Sequence, residues 1–225
     1  IYYYISSLFY KCKKNNISYI KEENPYIICD IGAGTVDLCT HRKIMKNNET
    51  SELIEEYPPI GGDYGGNEIN KEFIKRFIVE IFGKEKVKKL QDNTTEEDWD
   101  EFEKEIEELK ISCYENEFTN LTLDCELFED ESDEKTLDYY IHEYNNKNLK
   151  HKYEIQKVKK WQLQFSSQIF LDIAKELSQK IFSKIEEIYN NVHTGNIIIT
   201  GAGSKNDVIT NNFYDFAGEK NMEIK

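Results

Sequence analysis

The feature that most constrains the fold is an apolar segment that ends in an acidic residue and a glycine turn. The run Tyr26–Ile31 (YIICDI) contains a single charged residue, Asp30, near its end. A short, nearly continuous apolar run closed by glycine predicts a strand that is buried in the protein interior. The alternation in Val36–Thr40 (VDLCT) predicts a second strand, which a tight turn brings back beside the first.

The turn between these strands, Asp30–Asp37 (DIGAGTVD), has the composition of a phosphate-binding loop. Gly32 and Gly34 let successive backbone N–H groups face an anion without an intervening side chain, and Thr35 adds a hydroxyl donor. Asp30 would repel phosphate, but it can hold Mg²⁺ through the water shell of the ion. The turn is neither a dinucleotide fingerprint nor a Walker loop, because a strand follows it and G-K-[ST] is absent. The alternative is an ordinary glycine hairpin with a turn aspartate.

A second glycine-rich segment, Gly61–Glu68 (GGDYGGNE), directly precedes a predicted helix. The N-terminus of a helix presents unpaired N–H groups and a partial positive charge, worth about 0.3–1 kcal/mol to a nearby anion at an exposed site. Gly65 and Gly66 would allow a phosphate or a ribose to approach this end. The alternative is that Asn67 only caps the helix.

A third segment, Ile197–Ser204 (IIITGAGS), predicts a strand that ends in small residues and then enters a helix. Such a backbone can lie flat against an adenine or a ribose, because no side chain intervenes. Many proteins end strands in glycine, so this signal alone is weak.

Hydrophobic periodicity predicts helices at Asn67–Phe82, at Leu163–Tyr189 and through Val208–Phe216. A fourth helix is predicted to begin at Thr94 or Thr95, with Glu97 and Asp98 as capping-box partners. Further strands are predicted at Leu53–Glu56, Phe118–Asp124 and Asn196–Thr200, and loops at Pro58–Gly66 and in the acidic stretch Glu126–Lys135. Because strands alternate with helices, the fold class is α/β or mixed α+β.

Composition excludes several classes of partner. The formal net charge of −14 opposes binding to nucleic acids and to anionic membranes. No apolar run reaches the roughly 18 residues that a membrane helix needs, and we expect a cytoplasmic protein. The five cysteines have no C-x-x-C spacing, so we expect reduced thiols and no metal cage; they are Cys12, Cys29, Cys39, Cys113 and Cys125.

Taken together and in this order, the three glycine segments resemble motifs of the actin-like ATPase superfamily. Asp30–Asp37 is similar to the second phosphate motif of that superfamily, and Gly201–Ser204 is similar to its adenosine motif. The closer resemblance is to DnaK-type heat-shock proteins, whose second phosphate turn reads D-[LIC]-G-G-G-T-x-D. It extends over about Pro25 to Lys225.

Within that family the chain most resembles the divergent branch of seventy-kilodalton heat-shock protein twelve-like proteins. That branch has G-G-x-Y-G before a helix that ends in I-F-G, as at Gly61–Gly65 and Ile81–Gly83. A tryptophan-led helix with E-x-x-K follows, as at Trp99 and Glu107–Lys110, and a W-x-x-x-F pattern matches Trp161–Phe165.

The resemblance implies an actin-like ATPase, ribonuclease H-like fold that lacks its N-terminal lobe half. Residues 1–24 would be a remnant of the preceding lobe or a linker. Residues 25–66 together with 163–225 would form the second lobe, and residues 67–162 would form a small inserted subdomain.

The resemblance also implies ATP or ADP with Mg²⁺ as the ligand. Asp30 would lie at the Mg²⁺ shell or the attacking water, and Asp30 and Thr35 are the candidate catalytic residues. The remaining candidates contact β- and γ-phosphate (Gly32, Ala33, Gly34, Thr35), phosphate and ribose (Gly65, Gly66, Glu68), adenosine from the small lobe (Glu107, Lys110), or adenosine from the other side (Gly201, Ala202, Gly203).

The chain departs from the family pattern at several positions. Ala33 and Ala202 replace glycines, and Ile111 stands where the chaperones usually carry an arginine stacked on adenine, so that cation–π contribution is lost. The D-x-G-T hairpin expected upstream does not occur in Ile1–Glu23. We therefore expect a partial chain that is hydrolytically inactive as it stands.

The resulting hypothesis is an ATP-binding, heat-shock-70-type chaperone domain of the stress response, in which only the full-length protein hydrolyses ATP. Unfolded client proteins or co-chaperones would be its protein partners. The alternative is a non-catalytic actin-like scaffold or interaction module, which the departures at Ala33, Ile111 and Ala202 favour. A small-molecule kinase of the same superfamily is a third reading, but no substrate-site constellation is visible for it.

Overall fold

A computed structural model describes residues 24–47, 50–123, 136–147, 153, 155–205 and 207–224 of the 225-residue chain. It has a mixed α/β architecture built on a five-stranded sheet with the order β3-β2-β1-β7-β8. The first three strands, β1 (Pro25–Ile31), β2 (Val36–Asn47) and β3 (Thr50–Gly62), form an antiparallel meander. The last two, β7 (Asn196–Thr200) and β8 (Glu223–Ile224), run parallel to β1.

The central position of β1 explains its nearly unbroken apolar sequence. Ile27, Cys29 and Ile31 face the main hydrophobic core, whereas Tyr26 and Ile28 belong to a smaller cluster with Cys39. A strand that is buried on both faces needs apolar residues at every position instead of alternate ones.

The strands predicted at Tyr26–Ile31, Val36–Thr40 and Asn196–Thr200 are confirmed, because they correspond to β1, the first part of β2, and β7.

The predicted loop Pro58–Gly66 is partly wrong, because β3 continues through Pro58 and Pro59 to Gly62. β3 lies at the edge of the sheet, where a proline does not remove a hydrogen bond needed by a second neighbouring strand. The weakly predicted strand Leu53–Glu56 is the middle part of this longer strand.

Six longer helices and one short 3-10 helix, Gly203–Lys205, occur in the described residues. Helix α1 runs from Gly66 to Phe82 as Gly66–Phe73, a π-helical turn Ile74–Ile78 and Val79–Phe82. The others are α2 (Lys84–Asn93), α3 (Glu96–Ser112), α4 (Leu137–Lys147), α5 (Gln168–Val192) and α6 (Asp207–Lys220). The predictions of α1, α3 and α6 are confirmed.

Helix α3 begins as the capping pattern predicts. Thr95, not Thr94, is the N-cap residue, and its hydroxyl oxygen accepts a 3.2 Å hydrogen bond from the backbone N–H of Asp98. Helices α2 and α4 were not predicted. Val87 is the only buried residue of α2, so the periodic signal of that helix is weak.

A second, three-stranded antiparallel sheet has the order β4-β6-β5, with β4 at Phe118–Thr122, β5 at Ile155–Lys159 and β6 at Gln162–Ser166. The predicted helix Leu163–Tyr189 is wrong at its start, because Leu163 lies in β6 and α5 begins at Gln168. Leu163 and Phe165 are both fully buried. Side chains two residues apart lie on the same face of a strand, so the alternation of Leu163 and Phe165 is a strand pattern over which the predicted helix was wrongly extended.

One hydrophobic core joins the two sheets and the helices. At its centre the Phe73 ring stacks on Phe170 with 4.4 Å between ring centroids and lies 5.3 Å from Phe165. These residues come from α1, α5 and β6. The core is therefore continuous across the predicted division into 25–66 plus 163–225 and 67–162, and that division remains a prediction.

Several sequence predictions lie outside the described residues. These are the remnant before residue 24, the acidic loop Glu126–Lys135, and the thiols of Cys12 and Cys125. Within the described chain, none of the helices combines the length and the apolar character that crossing a lipid bilayer requires.

Replacing Phe73 by Ala should lower the free energy of unfolding by about 3–5 kcal/mol, because the substitution leaves a cavity between rings that cannot collapse. Phe118→Ala is the matched control, since the Phe118 side chain is about half exposed, and it should lower the same quantity by less than about 1 kcal/mol. Urea denaturation followed by circular dichroism measures both. Equal losses in the two variants would contradict the central position of Phe73.

Candidate functional site

The first and third glycine segments meet because their strands are neighbours. β1 and β7 are adjacent and parallel, with Asp30 beside Thr200. The turns that follow them, Gly32–Gly34 and Gly201–Gly203, therefore leave the sheet side by side at the carboxyl ends of these strands. The carboxyl ends of parallel strands are where open α/β sheets place their ligand sites.

The turn after β7 depends on glycine for two reasons. Gly201 has a φ of +93°, which L side chains rarely adopt. A Cβ built at this position would lie only 2.3 Å from the carbonyl oxygen of Ile31. The third segment thus packs its backbone directly on the end of β1.

The second glycine segment is bonded to the first through the N-terminus of α1. The backbone N–H groups of Gly66 and Asn67 donate to the carbonyl oxygens of Gly32 (3.1 Å) and Ala33 (2.7 Å), and Gly65 N–H donates to Gly34 (3.2 Å). A Cβ on Gly65 would lie 2.5 Å from the Ala33 carbonyl oxygen, so only glycine allows this approach.

This arrangement corrects the sequence-based view of the helix N-terminus. The first N–H groups of α1 were expected to face an anion, but they are bonded to the Gly32–Gly34 turn. The N-cap residue is Gly65, with no side-chain capping bond, so the alternative of Asn67 as the cap is also wrong. The helix end supports the turn, and the donors for an anion must come from the turn itself.

The turn does offer such donors. Ala33 and Gly34 are exposed, and their N–H groups are bonded to no acceptor in the described part of the chain. Consecutive free N–H groups in a turn form a concave site that suits an anion. The predicted hydroxyl donor Thr35 donates to the Asp37 carboxylate instead, over 3.3 Å.

All three segments border one cleft of about 390 Å³, a size typical of small-molecule sites. Its floor consists of the Gly32–Ala33 turn and the start of α1. One wall is the C-terminal part of α3 and the residues after it, and the other wall is the Ala202–Gly203 turn with the start of α6. The lining residues are Gly32, Ala33, Gly66, Asn67, Ile69, Glu107, Lys110, Ile111, Tyr114, Glu115, Ala202, Gly203, Asp207, Val208 and Ile209.

Lys110 is the most unusual side chain in the cleft, because it is charged and only 5% exposed. Its ammonium group lies 2.5 Å from Glu107 Oε2 and donates to the Gly66 carbonyl oxygen over 3.0 Å. The same Glu107 oxygen accepts a 2.8 Å hydrogen bond from Asn70. These bonds attach α3 to the first turns of α1 and hold the ammonium group at the floor of the cleft.

The α3 wall is apolar near its end. Ile111 and Tyr114 line the cleft with 65% and 52% of their surface exposed. Large apolar side chains left open in a concave site are suited to a flat apolar group, such as a nucleobase. Neither Ile111 nor Tyr114 carries a charge, so this part of the wall offers contact area without a cation.

The structure brings together only part of the predicted site. Seven predicted residues line the cleft: Gly32, Ala33, Gly66, Glu107, Lys110, Ala202 and Gly203. The other six are not among its lining residues: Asp30, Gly34, Thr35, Gly65, Glu68 and Gly201. Gly65 and Gly201 instead allow backbone segments to touch, and Glu68 pairs with Lys71 over 3.4 Å.

Several lining residues were missed from the sequence. Ile69, Val208 and Ile209 carry helix periodicity and read as core, while Tyr114 and Glu115 lie just past the end of α3. Tyr114 lies four residues after Lys110, which is about one helical turn further along the chain. That spacing could have identified Tyr114 as a residue on the same face as Lys110.

Neither a protein-built metal cluster nor a reactive thiol is found among the described residues. No group of three His, Cys, Asp or Glu side chains converges within the part of the chain that the structure describes. Cys29, Cys39 and Cys113 are free and buried. Burial raises the pKa of Cys39 and that of Cys113 to about 11, so these two thiols stay protonated near neutral pH and are poor nucleophiles.

The adjacent glycines Gly65 and Gly66 should respond differently to alanine. Gly65→Ala should lower the free energy of unfolding by about 1–3 kcal/mol, because its Cβ would overlap the backbone of the Gly32–Gly34 turn. In Gly66→Ala the nearest atom to the Cβ is Lys110 Nζ at 3.7 Å, an ordinary contact, and stability should be unchanged or rise by up to about 1 kcal/mol. Urea denaturation of both variants checks this, and a Gly65→Ala variant as stable as wild type would contradict the docking of α1.

No model of a known protein family matches the chain, and no curated protein matches it either.

Proposed function

We propose that the cleft binds an adenine nucleotide together with Mg²⁺, and that the chain is the nucleotide-binding part of a DnaK-like chaperone with an actin-like ATPase fold. The observation that carries the proposal is the convergence of three glycine segments, distant in sequence, on one cleft. Each of these segments was expected from the sequence to approach a phosphate or an adenosine. A sheet in which an antiparallel meander continues into parallel strands is compatible with this fold.

The phosphate groups would lie at the floor of the cleft. Ala33 supplies a free N–H donor there, the free N–H of Gly34 follows it in the same turn beside the cleft, and Gly66 leaves room because it has no side chain. Of the carboxylates that line the cleft, Glu115 and Asp207 belong to its walls, and Glu107 is paired with the Lys110 ammonium group at the floor. In a chain with a net charge of −14, local donors of this kind are needed to bind an anionic ligand.

Lys110 would set the electrostatics of the site. It is the only basic residue among the described residues that line the cleft, and it neutralises Glu107 beside the ligand. Mg²⁺, when bound, would neutralise part of the phosphate charge. Asp30, at the end of β1, would hold the water shell of the ion.

The base would lie between Ile111 and Tyr114 on one wall and the Ala202–Gly203 turn on the other. The small residues of that turn allow a flat group to approach the backbone, and the apolar side chains supply contact area in place of a stacked arginine. The chaperone part of the proposal rests on the motif resemblance, including Gly61–Gly65 and Ile81–Gly83.

Replacing Lys110 by Met should raise the dissociation constant of Mg-ATP by about tenfold or more, because the Glu107 carboxylate is left uncompensated beside the cleft. Lys104→Met is the matched control, since Lys104 lies on the exposed face of the same helix, and it should bind like wild type. Isothermal titration calorimetry measures all three proteins, with circular dichroism to verify folding.

The wild-type chain provides the decisive outcome of that experiment. Mg-ATP at a hundredfold excess over its dissociation constant should stabilise the protein by about 2.7 kcal/mol in a thermal shift assay. No binding by the wild-type chain would refute the proposal and would favour the alternative, a non-catalytic scaffold with the same fold.

ADP should bind at least about tenfold more tightly than adenosine, because only ADP can use the free N–H groups of the Gly32–Gly34 turn. Calorimetric titration of the two ligands under the same buffer and salt conditions measures the ratio. Equal affinities would mean that the turn contributes nothing, and the proposed phosphate position would then be wrong.

A further inference from the structure

Among the described residues, a single hydrogen bond joins the two walls of the cleft. Tyr114, two residues after the end of α3, lines the cleft, and its hydroxyl oxygen accepts a 2.6 Å hydrogen bond from Asn211 Nδ2 on α6. The two residues are 97 positions apart in the sequence. The bond therefore connects parts of the chain that only the fold brings close.

The walls are held mainly by other contacts. Helix α3 is attached to α1 through Lys110 and Glu107, and α6 packs on α5. Helices α3 and α6 are not among the pairs of elements that pack extensively in the described part of the chain. Tyr114 and Asn211 are both exposed, so their bond contributes little to the stability of the core, and it can break and form without unfolding either helix.

We infer that the Tyr114–Asn211 hydrogen bond is a latch between the cleft walls that slows the release of the bound nucleotide. This inference rests on the proposed function, because it concerns the exchange of the same ligand. With the latch formed, the wall that carries Ile111 and Tyr114 is held towards the Ala202–Gly203 turn. Among the described residues, no other hydrogen bond joins the part of this wall after residue 110 to the opposite wall of the cleft.

The size of the effect follows from the kind of bond. A hydrogen bond between neutral side chains that water can reach gives a modest net gain. Its loss should raise the dissociation rate constant roughly two- to tenfold. The association rate constant should change little, because the phosphate-binding floor is untouched.

The test compares three single variants and one double variant. Tyr114→Phe removes only the hydroxyl and keeps the ring that lines the cleft, and Asn211→Leu removes the amide. Tyr214→Phe is the matched control, because Tyr214 lies one turn further along α6 and is 57% exposed. Stopped-flow chase of a fluorescent ADP analogue measures release from each protein.

Both latch variants should release the analogue roughly two- to tenfold faster than wild type. The double variant should be no faster than the single ones, because both substitutions break the same bond, and Tyr214→Phe should match wild type. Release from Tyr114→Phe and Asn211→Leu at the rate of the control would overturn the latch. Multiplicative effects in the double variant would overturn it as well.

A second measurement uses the ligand-free protein. Hydrogen–deuterium exchange should be faster at residues 111–115 in Tyr114→Phe than in wild type or Tyr214→Phe, since the wall is then held at one end only. Unchanged exchange would contradict the inference. If the wild-type chain binds no analogue, the proposed function fails together with the role of the latch in nucleotide release, whereas normal binding with unchanged release refutes the latch alone.

Discussion

The bonds between the start of helix α1 and the Gly32–Gly34 turn are the contact on which the cleft depends. Three backbone N–H groups at this helix end donate to three carbonyl oxygens of the turn. In doing so they satisfy donors that every helix leaves unpaired, and they fix the direction in which the turn presents its own N–H groups. Gly65 makes the approach sterically feasible, because any Cβ at that position would overlap the turn backbone.

The interaction around Lys110 adds the second constraint. A nearly buried ammonium group requires compensation, and Glu107 together with the Gly66 carbonyl oxygen provides it. The same bonds fix α3 over the floor of the cleft and so determine where Ile111 and Tyr114 lie. The backbone thus shapes the proposed phosphate end of the cleft, whereas side chains of α3 shape the proposed base end.

The sequence was informative wherever a local rule determines the outcome. The apolar run before Asp30, the capping pattern at Thr95 and the periodicity of α5 beyond Gln168 all correspond to elements in the structure. Two of its predictions were wrong at a boundary. The helix was extended back over Leu163 and Phe165, whose spacing of two residues is that of a strand, and Pro58 reads as a loop residue unless the strand that contains it lies at a sheet edge.

Glycine content and strand patterning were enough to identify three segments whose backbone must bend or make close contacts, since those properties depend on neighbouring residues. What each glycine does could be learned only from the folded chain. Gly66 opens the floor of the cleft, whereas Gly65 and Gly201 make room for other backbone segments. The pairing of Tyr114 with Asn211 was equally invisible, because contacts between residues so far apart depend on how the strands and helices pack and not on any local pattern.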